Sequence, residues 1–208
     1  MDQIAPGARQ RNRLAILEHA RRVLIADPAA SLEDVAVQIG IVRRTVYGHF
    51  ASRDELVREI ILHSAAEFTA RVEALSIHEN DEDGLERLVV GAWGTVGDFC
   101  AVITLARSQA ADALAEAMAP FSARIASAIA AGQAAGRFSD HLDASTLALV
   151  LETISLALLE ASAASRWNGD AATVATTMLI ALGVAPTEAQ RRATAASQMN
   201  ALSEGPPA

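Results

Sequence analysis

Residues 31–56 read SLEDVAVQIGIVRRTVYGHFASRDEL, and this stretch decides the fold. Ser31 stands before Leu32-Glu33-Asp34, so its hydroxyl can cap the free amides of a helix whose positive end the two acids favour. Leu32, Val35, Ala36 and Ile39 recur at i, i+3, i+4 and i+7, an apolar stripe along one side. Gly40 follows directly, where the chain needs a helix-ending residue that glycine supplies at least cost. A short third helix is expected from Val42 to about His49, with Val46 and Phe50 turned inward and Arg43, Arg44 and Tyr47 outward. Ser52-Arg53-Asp54-Glu55 has the form of a capping box and opens a long fourth helix. Helix, tight glycine turn, helix is the helix-turn-helix arrangement.

Working outward, Ile16, Ala20, Val23 and Leu24 give one apolar face to a helix from Arg9 to about Ala26, which Asp27-Pro28 stops. Downstream, Val57, Ile61, Phe68, Val72 and Leu75 mark the buried face of the fourth helix, which ends near the polar run His78-Glu79-Asn80-Asp81-Glu82-Asp83. Further helices are expected at residues 84–105, 110–118, from Pro120 to near Gly136, 143–166 and 170–182. A flexible tail is expected from about residue 186, holding one polar helix, Thr187 to Leu202, before a frayed Glu-Gly-Pro-Pro end. The fold class is therefore all-α with about nine helices, divided into a head of residues 1–51 and a larger helical domain of residues 52–208.

Composition narrows the function. The 208 residues are 51% hydrophobic and carry a net charge of −8, and strand formers never alternate with polar residues for long, which excludes a β-rich fold. One cysteine, Cys100, and no apolar leader at the N-terminus fit a cytoplasmic protein. The longest apolar stretch, residues 144–164, contains Glu152 and Glu160, each costing about 2.5–3.5 kcal/mol at a bilayer centre, so a buried helix is expected there and no membrane partner. All 17 basic residues are Arg; residues 1–60 hold nine of them against eight acids, and the remainder eight against 17. A mildly basic head on an acidic body suits a polyanion at one end only. Metalloprotease, paired-cysteine, phosphate-loop and nucleophile-elbow motifs are all missing from the sequence, so no catalytic residue, metal or cofactor is expected.

Ala15 to Val57 resembles the N-terminal DNA-binding domain of the TetR family of bacterial transcriptional regulators. The residues that carry the resemblance are Ile16-Leu17 and Ala20, Ser31-Leu32-Glu33-Asp34-Val35-Ala36, Gly40, Thr45-Val46-Tyr47-Gly48-His49-Phe50, and Ser52-Arg53-Asp54-Glu55-Leu56. The resemblance implies a homodimer whose heads bind a palindromic double-stranded operator, and whose larger domains pair with each other and enclose a pocket. A largely apolar small-molecule effector in that pocket would move the heads apart from the spacing that fits DNA and so relieve repression.

On that resemblance, Arg43 and Arg44 begin the recognition helix, where a guanidinium can bond guanine O6 and N7 together. Thr45 matches a position near bases, and Tyr47 and His49 match positions that touch phosphates. Gly48 weakens a short helix, which closer approach to the DNA backbone would offset. Ser31 and Arg53 stand at helix starts that favour phosphate oxygens, with a plain capping role the alternative for Ser31. Arg9, Arg11 and Arg13 either reach phosphates or a minor groove as basic arms do or stay disordered in solvent, and a non-specific electrostatic role is expected of them. Val42 departs from the family, which commonly has Ser there; it removes a cap and either lowers DNA affinity or adds a thymine-methyl contact. The alternative reading is a small-molecule-binding dimer whose specific DNA binding is weak or lost.

In the larger domain, His63, Phe68, Trp93, Phe99, Cys100, Met118, Phe121 and Glu152 are candidate ligand contacts, since pockets are mostly apolar with a few polar groups. Leu147, Leu151, Ile154 and Leu158, with Val174, Met178 and Leu182 of the next helix, are the expected subunit seam.

Overall fold

The computed structural model describes residues 7–78 and 81–203. Among them are ten helices and no strand, in two compact units. The first unit comprises the residues up to Ala66 together with Ala101–Ala117. It contains α1 (Ala8–Ala26), α2 (Leu32–Gln38), α3 (Arg43–Tyr47) and the start of α4 (Arg53–Ala74), along with most of α6 (Gly97–Gln109) and the start of α7 (Ala111–Ala134).

Ser31 caps α2 as its position predicts: its hydroxyl accepts from the Asp34 amide, and the Asp34 carboxylate accepts from the Ser31 amide. Gly40 adopts φ +75°, and the turn closes as the Ile41 amide donates to the Ala36 carbonyl at 3.0 Å. Ala20, Leu24, Val35, Val46 and Phe50 fill the core beneath this turn. Leu56, Val57, Ile60 and Ile61 of α4 are buried as well, and α4 stays with the head as far as Ala66. The boundary expected at residues 51/52 thus lies inside a compact unit. Arg58 of α4 pairs with Asp112 and Glu116 of α7, and the Gln109 amide of α6 donates to the Pro28 carbonyl at 2.8 Å.

The second unit is Glu67–Cys100 with the chain from Met118 onward. It holds α5 (Gly84–Thr95), α8 (Ala144–Ala163), α9 (Ala171–Ala181) and α10 (Pro186–Ser203). Asp143 and Asp170 cap α8 and α9 through the amides of Thr146 and Thr173. α10 packs on α5 and α9, with Ala189, Ala193 and Ala196 buried. The polar helix expected over residues 187–202 is present as α10, packed against its neighbours and not part of a flexible tail; residues 204–208, like Glu79 and Asn80 of the acidic run, lie outside the described residues.

Two helix boundaries also differ from expectation. The helix expected over residues 84–105 breaks at Val96, between Gly94 and Gly97, two poor helix formers on either side of the new cap. The segments expected at 110–118 and from Pro120 are one helix, α7, with Pro120 inside it.

α8 has the length and apolarity of a membrane-crossing helix, with a mean hydropathy of 1.6, yet only 22% of it is buried. The chain itself covers Leu147, Ala148, Leu151 and Leu159. A helix expected to be buried on several sides leaves one long face uncovered.

Candidate nucleic-acid interface

The start of α3 projects from the head. Val42 occupies its N-cap position without any side-chain cap and is 69% exposed. Arg43 is exposed but engaged: its guanidinium meets the Glu33 carboxylate of α2 with both forks, Nη1 to Oε1 and Nη2 to Oε2, each at 2.6 Å. Arg44 is exposed and has no ion-pair partner among the described residues. Thr45 is half-buried, and Tyr47 is half exposed on the outer side. Val46 and Phe50 lie in the core, as their spacing requires.

The far end of α3 is fastened to α1. The Gly48 carbonyl accepts from Arg9 at 3.4 Å, the His49 carbonyl accepts from Arg13, and His49 Nε2 lies 3.3 Å from the Asn12 amide. Arg13 also pairs with Glu59 at 3.1 Å and stacks 4.5 Å over the Phe50 ring. α1 begins at Ala8, so Arg9, Arg11 and Arg13 belong to a helix and not to an extended arm. Arg9 and Arg13 thus tie α1 to the chain just after α3.

Arg53 is drawn inward too: its Nε donates to the Ala30 carbonyl at 2.9 Å and its Nη2 to the Pro28 carbonyl at 2.5 Å. These bonds tie α4 to the α1–α2 turn and occupy the guanidinium read in the sequence as a phosphate contact. Ser31 is committed to its cap, donating to Asp34 Oδ2 at 2.6 Å. The Ser31 hydrogen bonds, and further off the Arg43 charge, hold the Asp34 carboxyl below the usual aspartate range. Periodicity carries no signal for the Glu33–Arg43 and Arg53 contacts, because they join residues ten and more positions apart.

In the second unit, Phe68, Phe99 and Phe121 form one aromatic cluster. Phe68 stacks on Phe99 with centroids 5.4 Å apart and meets Phe121 edge-on at 5.3 Å. Cys100 follows Phe99 in the chain, and burial pushes its thiol up, away from the reactive thiolate form. Trp93 does not join this cluster. It lies edge-on to Trp167 at 5.8 Å, a partner that sequence reasoning missed, although Gly169 is a signal: a Cβ there would sit 2.0 Å from the Trp167 ring. Met118 and Glu152 are half-buried in the second unit. His63 belongs to the first unit, its Nε2 3.5 Å from Glu18 Oε1.

The residues expected at the subunit seam divide. Leu147, Leu151, Val174, Met178 and Leu182 are buried within the single chain, and Ile154 and Leu158 are half-buried. These side chains serve the chain's own packing first. The apolar side chains that α8 and α9 leave to solvent are Leu149, Val150 and Ile180.

Residues 16–60 match the family described as bacterial regulatory proteins, tetR family. Over 109 residues the chain is 32% identical to the HTH-type transcriptional repressor LfrR of Mycolicibacterium smegmatis; the match spans 52% of this chain and 58% of LfrR. Among solved structures, the fatty acid degradation regulator FadR of Bacillus halodurans shares the fold with a TM-score of 0.66 at 13% identity, over 86% of this chain and 97% of that one. FadR of Bacillus subtilis in complex with stearoyl-CoA gives a TM-score of 0.66 at 13% identity, over 81% and 96% of the two chains.

Proposed function

We infer that the chain is a regulator of the TetR family, a homodimeric repressor that binds a palindromic operator and is released by a small-molecule effector, on the match of residues 16–60 to that family and the 32% identity to LfrR. One observation carries the reading. The start of α3, held by the Gly40 turn in front and by α1 behind, offers Val42, Arg44 and Tyr47 to solvent on a rigid support. A helix end of this kind enters the major groove, where Arg44 can bond a guanine with two donors and the Val42 methyls can meet a thymine methyl. Tyr47 would hold a phosphate and so fix the register.

Dimerisation through the uncovered face of α8 would supply the second head. The Phe68–Phe99–Phe121 cluster is the proposed effector site, and its apolar character favours a largely apolar ligand, in keeping with a structural relative that binds a fatty acyl-CoA. The protein acts in the cytoplasm, where its DNA lies, and has no catalytic role.

Selection of bound duplexes from a random pool at about 0.1–0.15 M salt tests this reading, because non-specific electrostatic binding is partly suppressed there. A recurring palindrome is the expected result, and Arg43→Ala with Arg44→Ala together should weaken the preference for it. A reduced ratio of affinities for selected over scrambled duplexes is the expected readout; undiminished selectivity would overturn the assignment. A second reading rests on Val42, which leaves α3 without a side-chain cap: a ligand-binding dimer with weakened DNA recognition. That reading predicts effector binding from a folded dimer that enriches no duplex.

A further inference from the structure

Two arginines stand side by side at the start of α3, and the head treats them differently. Glu33, the second residue of α2, reaches across the Gly40 turn to Arg43 and takes both of its terminal nitrogens in a fork-to-fork pair. The side chains are 62% and 42% exposed, so the pair lies on the outer surface of the head, beside the residues that would meet DNA. Arg44, one position on, has no ion-pair partner among the described residues. End-on bidentate readout of guanine needs both terminal nitrogens of one guanidinium, and in Arg43 that pair is already spent on a carboxylate. The three remaining N–H groups of Arg43 lie on its other edges, whose aim the Glu33 pair fixes, and can bond phosphate, a contact that positions without reading. Glu33 also puts a negative charge where phosphates approach, which disfavours duplexes that offer nothing to Arg44.

We propose that Glu33 is a positioning residue that sets operator specificity: it withholds Arg43 from base readout and leaves Arg44 as the arginine that reads guanine. This rests on the reading that α3 meets DNA. Glu33→Gln would release Arg43 to any phosphate or guanine within reach, so affinity should rise on all duplexes and rise most on the wrong ones.

The test uses the full-length chain with the selected palindrome and a scrambled duplex, titrated across a salt series for wild type, Glu33→Gln, Arg43→Ala, Arg44→Ala and the Glu33→Gln/Arg43→Ala pair. Glu33→Gln is expected to tighten both complexes, to lower the selected-to-scrambled ratio by about threefold or more, and to steepen the salt dependence by about one phosphate contact per head. The fall in selectivity should vanish when Arg43 is Ala, which separates the clamp from a general gain in charge. Arg43→Ala should leave the base preference at every half-site position intact, whereas Arg44→Ala should erase it at one. An unchanged ratio in Glu33→Gln, or the same fall in the Arg43→Ala background, would overturn the clamp while leaving the regulator reading intact. A wild-type chain that binds every duplex alike would overturn both.

Discussion

Val42 shows how one side chain can pull stability and recognition apart. It stands at the N-cap of α3 with no side-chain acceptor for the free amides that follow, and its methyls face solvent. Val42→Ser should supply the missing acceptor and stabilise the chain by about 1 kcal/mol, measured by urea denaturation. The same change removes the methyl surface offered to thymine, so duplex selection with the variant should lose a thymine preference at one half-site position. A variant that is no more stable would mean that α3 finds its cap elsewhere. At this scale the sequence was legible wherever a residue acts on its near neighbours. Ser31 caps its helix through the Asp34 amide three positions on, and Gly40 turns where the stripe ends. At the start of α4, the Glu55 amide donates to Ser52 Oγ as expected, but the Glu55 carboxylate accepts from the Ala51 amide, one residue earlier than the expected reciprocal bond. Contacts such as Glu33–Arg43 and Arg53 to Pro28 depend on how separate elements meet, which no local pattern encodes.

Among the elements, α10 has bounds legible in the sequence and packing that is not. Its polar residues suggest a helix in a loose tail, but alanines at 189, 193 and 196 recur on one face and let it lie close against α5 and α9. Its hold on α5 is polar. Arg192 Nε donates to Glu86 Oε1 at 2.6 Å, and Asn200 donates to the Arg87 carbonyl at 2.9 Å. Glu86 is only 2% exposed, and its Oε2 has no hydrogen-bond partner among the described residues. Breaking a buried pair from one side strands the other charge, so Arg192→Ala should cost about 3–5 kcal/mol in a denaturation experiment. Glu86→Met with Arg192→Met removes both charges and should cost distinctly less than Arg192→Ala alone. Equal losses would mean that Arg192 acts by packing over the Phe138 ring, 5.4 Å away, and not by neutralising Glu86. Small residues carry little hydrophobic signal, which is why periodicity found α8 and α9 readily and undervalued α10. The break at Val96 was hidden for a related reason: apolar residues continue on both sides of it, so the stripe survives where the helix does not.

For the whole molecule, net charge and an uncovered helix point to the same assembly. A chain of net charge −8 approaching a polyanion gains only where its arginines concentrate, and a single head offers few of them, so tight binding needs two heads on one duplex. The proposed means of joining two chains is the outer face of α8. Leu149 and Val150 are exposed there, and Thr153 and Ala157 continue the same face at helical spacing with side chains small enough for a close approach. An isologous pairing would set this face against its own copy and bury the apolar surface that one chain leaves wet. Leu149 is 62% exposed, so Leu149→Glu should spare the fold of the single chain, with helical content and unfolding midpoint close to wild type. In the seam, the same substitution would set two carboxylates against apolar surface and against each other. The variant should therefore sediment as a monomer at concentrations where the wild type is a dimer. Its affinity for the selected palindrome should fall by about 100-fold or more, while its affinity for an isolated half-site stays unchanged. A Leu149→Glu chain that remains dimeric would move the seam off this face of α8. A monomer that binds the palindrome as tightly as the dimer does would remove the need for two heads altogether.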